Sequence, residues 1–150
     1  NEIIKLENEK KIEKIETLKV FAKDLDVSKK KIQDLFKKIT EQNKTIAGFG
    51  AARSGTTLIA QMQIGSMIQY MVDDNEEKQG KYSPGDHILV RPTNYIYEKM
   101  PDYLVILAWV HSKNIIRNHK KYLEIGGSFI VCFPELKIIN KNNYNELQNL

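Results

Sequence analysis

A chain of 150 residues is enough for one ordinary domain with its own core. With 41% hydrophobic residues and only four prolines and eight glycines, it is neither disordered nor fibrous, and no run of about 18 apolar residues exists to span a membrane. The net charge of +4 is a small basic excess. Its lysines are interleaved with Glu and Asp over the first forty residues, as on a solvated helical face, which argues against a nucleic-acid partner.

Residues 2 to 43 hold no Pro or Gly and are rich in helix formers. Ile12, Ile15, Leu18, Ala22 and Leu25 recur at three- and four-residue steps and make one apolar stripe. Ser28 reads as the N-cap of a second helix, with Val27 and Ile32 at the two positions of a hydrophobic staple. Ile32, Leu35, Phe36 and Ile39 carry the stripe on. Sustained heptads are absent, so a long coiled coil is not expected. Residues 1–43 are expected to pack on the following domain or link it to another. The first residues alternate charge with isolated Ile and Leu and do not form a signal peptide. With no initiator Met and a start inside a helical pattern, a piece of a longer protein is expected.

From Lys44 the pattern changes to alternating strands and helices. Thr45 to Phe49 is the first strand, and a turn holding Gly48 and Gly50 leads to a helix from Ser54 or Gly55 to Gln63, with Gly65 as its C-cap. Ile68 to Asp73 is the second strand. A polar loop follows to Pro84-Gly85, which suits the centre of a type II turn. His87 to Val90 is the third strand, and Thr93 caps a brief helix to Lys99. Tyr103 to Ala108 is the fourth strand, nearly all apolar as a strand covered on both faces should be. Ser112 caps the last full helix, which Gly126-Gly127 stops, and Ser128 to Phe133 is the fifth strand. Its Cys132 is the single cysteine. No intrachain disulfide can form, so a buried structural thiol and a reducing, cytoplasmic compartment are expected. Five strands joined by helical or long crossovers predict an α/β fold. The expected architecture is a Rossmann-like three-layer αβα sandwich over residues 44–136 with a five-stranded parallel sheet in order 3-2-1-4-5. Residues 137–150 are expected to be a polar tail.

Such sheets bind ligands past the carboxyl ends of their strands, where the strand order reverses. The crevice is then lined by residues 49–55, 73–79 and 109–112. Backbone amides of Gly50 to Gly55, with the Arg53 guanidinium, suit a diphosphate. The alternative is that the glycines only permit a tight turn and Arg53 is a solvated surface residue. Asp73, 23 residues after Gly50, stands where such folds place an acid on ribose hydroxyls, with Asp74 beside it facing solvent. Trp109 can stack on a base or pack, and packing is favoured. His87, His111 and His119 lack metal-ligand spacing with one another and with Cys132. Ser54 is in no nucleophile elbow, and Tyr82, Tyr95 and Tyr97 read as core or rim residues. No catalytic residue and no metal ligand are assigned in this chain. An S-adenosylmethionine site generally has an acid in strand one, where Thr45, Ile46 and Ala47 stand. An NAD site prefers a third glycine, where Arg53 stands. Both cofactors are disfavoured by these details.

Gly-Phe-Gly-Ala-Ala-Arg-Ser-Gly-Thr-Thr-Leu (48–58) resembles the GYGA-x-x-KG-x-T-x-L signature of the C-terminal domain of nucleotide-sugar C-methyltransferases. Residues 72–88, Val-Asp-Asp-Asn-Glu-Glu-Lys-Gln-Gly-Lys-Tyr-Ser-Pro-Gly-Asp-His-Ile, resemble that domain's second signature, D-x-N-x-x-KQG-x-x-x-PG-x-H-I. The resemblance covers about residues 44 to 136. It implies a substrate-binding domain that anchors a nucleotide-diphosphate sugar, while zinc and S-adenosylmethionine belong to preceding domains of the parent enzyme and no cofactor to this chain. Carried over, Gly48, Gly50, Ala51, Gly55 and Thr56 form a nucleotide-facing loop, and Asp73, Asn75, Lys78, Gln79 and Gly80 the adjoining rim. Arg53 departs from the usual lysine but can meet a phosphate bidentately. Two other readings stay open: a non-catalytic interaction module that binds a partner through residues 2–43, and a binder of NAD or S-adenosylmethionine in its own right.

Overall fold

The computed structural model of the chain describes residues 2–149. Two helices, α1 (Glu2–Lys10) and α2 (Ile15–Glu41), precede β1 (Ile46–Phe49) and α3 (Arg53–Met62). There follow β2 (Met71–Val72), β3 (Val90–Arg91), α4 (Tyr95–Lys99), β4 (Tyr103–Ile106), α5 (Ser112–Asn118) and α6 (Lys120–Glu124). The chain closes with β5 (Ser128–Val131), β6 (Lys137–Ile139) and short 3-10 turns from Lys141 to Asn149. The sheet order is β3-β2-β1-β4-β5-β6. Its first five strands are parallel, as expected, and β6 adds a sixth, antiparallel to β5.

The period of two along each strand builds the three layers. Ile46, Val105 and Ile130 point to one face, where Ile32, Phe36, Ile39, Leu58, Ile59 and Met62 of α2 and α3 cover them. Ala47, Phe49, Leu104, Ile106, Phe129 and Val131 point to the other, under Ile96, Ile115, Ile116, Tyr122 and Leu123 of α4, α5 and α6. Because both faces are covered, the central strands are apolar throughout. At their amino ends, Asp102 joins β4 to β1: its carboxylate accepts from the Thr45 N–H at 2.8 Å and hydroxyl at 2.9 Å. Cys132 is buried, and burial pushes its thiol up to about 12, as suits a structural cysteine. No helix of the described residues is long and apolar enough to cross a membrane.

Several boundaries differ from the expectation. Ser28 caps nothing: α2 runs through it unbroken, and the break falls at residues 11–14, where Lys11 takes a positive φ of 52°. A cap residue without a following breaker does not stop a helix whose buried face continues past it. Gln63, not Gly65, takes the left-handed position that ends α3. Gly65 is instead buried against Asp86, where a Cβ would lie 2.1 Å from the carboxyl carbon. The second and third strands are two residues each, and His87, with φ 52°, lies outside β3. Thr93 hydrogen-bonds the Asp74 carboxylate and does not cap α4. Ser112 opens α5 as its first residue, and the helix breaks at His119.

The chain beyond residue 136 is more than a polar tail. Lys137-Ile138-Ile139 pairs with the edge of β5, and Leu147 is buried behind it. Across the expected boundary at residue 44, Ile32, Phe36 and Ile39 of α2 belong to the core.

Candidate functional site

The carboxyl ends of β1, β2 and β4 meet around one turn. Gly50 leaves β1 with φ +99°, and a Cβ there would sit 2.8 Å from Ala108 Cβ. Only glycine accepts both that conformation and that approach. Gly55, in the first turn of α3, lies where a Cβ would be 2.9 Å from Leu107 Cβ, so α3 docks tightly on the end of β4. Gly48 is not part of the loop. It sits inside β1, where a Cβ would meet Leu107 Cδ1 at 2.7 Å, so its smallness serves strand packing. The first turn of α3 has no side-chain cap at Ala52, which leaves its amides and the positive end of the helix for an anion.

Asp73, 9% exposed, locks this turn to the loop after β2. Its Oδ2 accepts from the Ala51 N–H at 2.7 Å and from Lys78 Nζ at 3.2 Å, while Oδ1 accepts from the Asn75 N–H at 2.9 Å. Gln79 Nε2 donates to the Asp73 carbonyl at 3.0 Å, and Asn75 Oδ1 accepts the Glu77 N–H at 2.9 Å. Gly80, at φ +76°, turns the chain so that its N–H reaches the Val90 carbonyl at 2.9 Å. The D-x-N-x-x-K-Q-G residues thus fold into one hydrogen-bonded unit. A carboxylate has about four acceptor positions, and three of those on Asp73 are taken. Its first role is to hold two loops together, with room for one further donor.

Of the residues singled out in the sequence, Ala51, Thr56 and Lys78 line a cavity of about 210 Å³. Lys81 and Tyr82 line it too, and Tyr82 is strongly exposed. Neither was singled out as a site residue, although a cation beside an aromatic next to Gly80 was a usable signal. Arg53 is exposed at the start of α3 and does not line that cavity. Asp74 is on the solvent side, as expected. Trp109 packs on Phe133 with ring centroids 6.2 Å apart.

On the opposite face, the Tyr97 hydroxyl and His119 Nδ1 lie 3.0 Å apart, and the imidazole packs on Phe49 with centroids 5.0 Å apart. Burial lowers the His119 pKa from its ordinary 6.5, against the opposing pull of Asp74. The folded state therefore prefers the neutral imidazole, while the unfolded state takes up the proton first. The stability this confers is fully present above pH 6.5 and is lost as pH falls through that value towards the lower folded one. In urea titrations at about pH 7.5 and about pH 5.5, His119→Gln should lose less stability on acidification than the parent chain. Equal losses would exclude His119 as the source. Among the described residues, no group of three or more His, Cys, Asp or Glu side chains is placed to hold a metal ion.

A parallel sheet in this order, with a glycine turn at its switch point and an uncapped helix start beside it, defines a Rossmann-like domain. Residues 1–134 match the family described as the C-methyltransferase C-terminal domain, and the chain belongs to that family. It is 36% identical over 121 residues to the C-methyltransferase NovU of Streptomyces niveus, a match that takes in 80% of this chain. It spans only 29% of that relative's length. Among solved structures, UDP-D-quinovosamine 4-dehydrogenase from Vibrio fischeri aligns with a TM-score of 0.46 and 16% identity, over 67% of this chain and 96% of that one.

Proposed function

We propose that this domain anchors the nucleotide-diphosphate sugar on which a C-methyltransferase acts. In this reading the diphosphate lies at the start of α3, met by the first-turn amides and the Arg53 guanidinium. The nucleoside lies along the rim formed by Lys78, Lys81 and Tyr82, where the Tyr82 ring is free to stack on a base. S-adenosylmethionine and zinc belong to the preceding part of the enzyme. Thr45, Ile46 and Ala47, just before the glycine turn, supply no acid for the ribose of the methyl donor. The domain's work is to bind and orient, leaving proton and methyl transfer to the rest of the enzyme.

The observation that carries this reading is the Asp73 lock. It holds the glycine turn against the loop bearing Lys78, which supports a reading in which the uncapped helix start and the cationic rim meet one ligand. Titration of the chain with uridine and thymidine diphosphates should shift amide resonances at Gly50 to Gly55 and at Lys78 to Tyr82. Removing one charge-assisted bidentate contact costs about 1.5–3 kcal/mol, or roughly tenfold or more in affinity. Arg53→Ala should therefore weaken binding by that factor and leave the urea midpoint unchanged. Shifts confined to other regions, or none at all, would remove the assignment.

A further inference from the structure

The apolar face of α2 runs further than the domain that covers it. At about 100° per residue, Leu18, Phe21, Leu25, Ser28, Ile32, Phe36 and Ile39 share one side of the helix. Ile32, Phe36 and Ile39 are buried and Leu25 is half-buried, but Phe21 is 65% and Leu18 51% exposed. Residues 15–24 thus project about 15 Å beyond the last covered turn with core-type side chains still on the same side. They overhang an apolar groove of about 630 Å³ whose walls include Phe21, Leu25, Leu58, Met62, Trp109 and Phe133. Ile3, Ile4 and Leu6 are exposed on α1, Ile12 in the break after it, and Ile15 at the start of α2. Contiguous apolar surface of this kind marks an interface.

We propose that this groove and the free end of the stripe seat the preceding part of the same methyltransferase polypeptide. Two observations select that occupant. The family is a C-terminal domain, and more than two thirds of the curated relative lies outside the matched part. The uncovered surface lies on the amino-terminal segment, through which a preceding domain is joined. Ser54, the second residue of α3, lines the groove, so a body seated there borders the first turn of α3. The inference rests on family membership and not on the nucleotide reading.

The test is side-chain footprinting by hydroxyl radicals on the whole enzyme and on the 150-residue chain. Leu18, Phe21 and Trp109 should be labelled at least tenfold more slowly in the whole enzyme, at any concentration. The double substitution Leu18→Asp/Phe21→Asp should leave the urea midpoint of the 150-residue chain unchanged. In the whole enzyme it should speed tryptic cleavage between Lys10 and Lys14 by a similar factor. Equal labelling in both proteins would overturn the proposal, as would cleavage insensitive to the substitutions. Protection that appears in the 150-residue chain on concentration, or that the whole enzyme loses on dilution, would overturn it in favour of a second copy. Nucleotide titration of the doubly substituted chain reports separately on the anchoring site.

Discussion

Phe36→Ala is expected to destabilise the 150-residue chain by about 3–5 kcal/mol, the usual cost of deleting a fully buried aromatic ring. Phe36 is 0% exposed and packs in the cluster that joins α2 to α3 and to one face of the sheet. The same contact surface carries a hydrogen bond from Gln33 Nε2 to the Met62 carbonyl at 2.9 Å, so the helix cannot simply slide to fill the void. A loss of that size is a large part of the roughly 5–15 kcal/mol that holds a domain together. Phe21→Ala, on the same face four turns earlier, should change the midpoint by less than about 0.5 kcal/mol, as surface substitutions do. Urea unfolding of the two variants therefore locates the working boundary of the domain inside α2. A cost below about 1 kcal/mol at Phe36 would make the helix a dispensable linker.

Asp73→Ala should be the most damaging change at the site. It removes the acceptor of the Ala51 and Asn75 N–H groups and the partner of Lys78 together. Hydrogen bonds to charged groups are worth about 1.5–3 kcal/mol each. With some replacement by water, the net cost is about 2–4 kcal/mol. Asp73→Asn is no rescue, since one of its two terminal atoms becomes a donor facing a donor. Unlike Arg53→Ala, which should touch affinity alone, Asp73→Ala should lower stability and nucleotide affinity together, because the glycine turn and the Lys78 loop lose their common anchor. An unchanged urea midpoint would show that the lock is not needed to hold the turn.

Much of this was legible in the residues because it is local. Alternating apolar runs and glycine stops marked the five parallel strands and their order. The first turn was recognisable because Gly50 needs a positive φ that few other residues accept. β6 was missed because Lys137-Ile138-Ile139 is too short and too mixed to read as a strand; it is one only because β5 presents an unpaired edge. Ser28 misled for a related reason. Its capping preference is worth about 1 kcal/mol, less than the burial of Ile32 and Phe36 on the continuous face of α2.

The sequence alone determined that this chain is a parallel α/β domain with a glycine turn after its first strand, and it singled out Gly50, Gly55 and Asp73. Only the tertiary structure decided what those residues do. It placed Gly48 in the strand, set Gly55 against β4, and turned three of the four acceptor positions of Asp73 inward to join two loops. It also brought Lys81 and Tyr82 beside Ala51 and Thr56, and left half of the α2 stripe uncovered. Backbone conformation is written in near neighbours, whereas the partner of a carboxylate or the cover on a helix face depends on which distant segments the fold brings within a few ångströms.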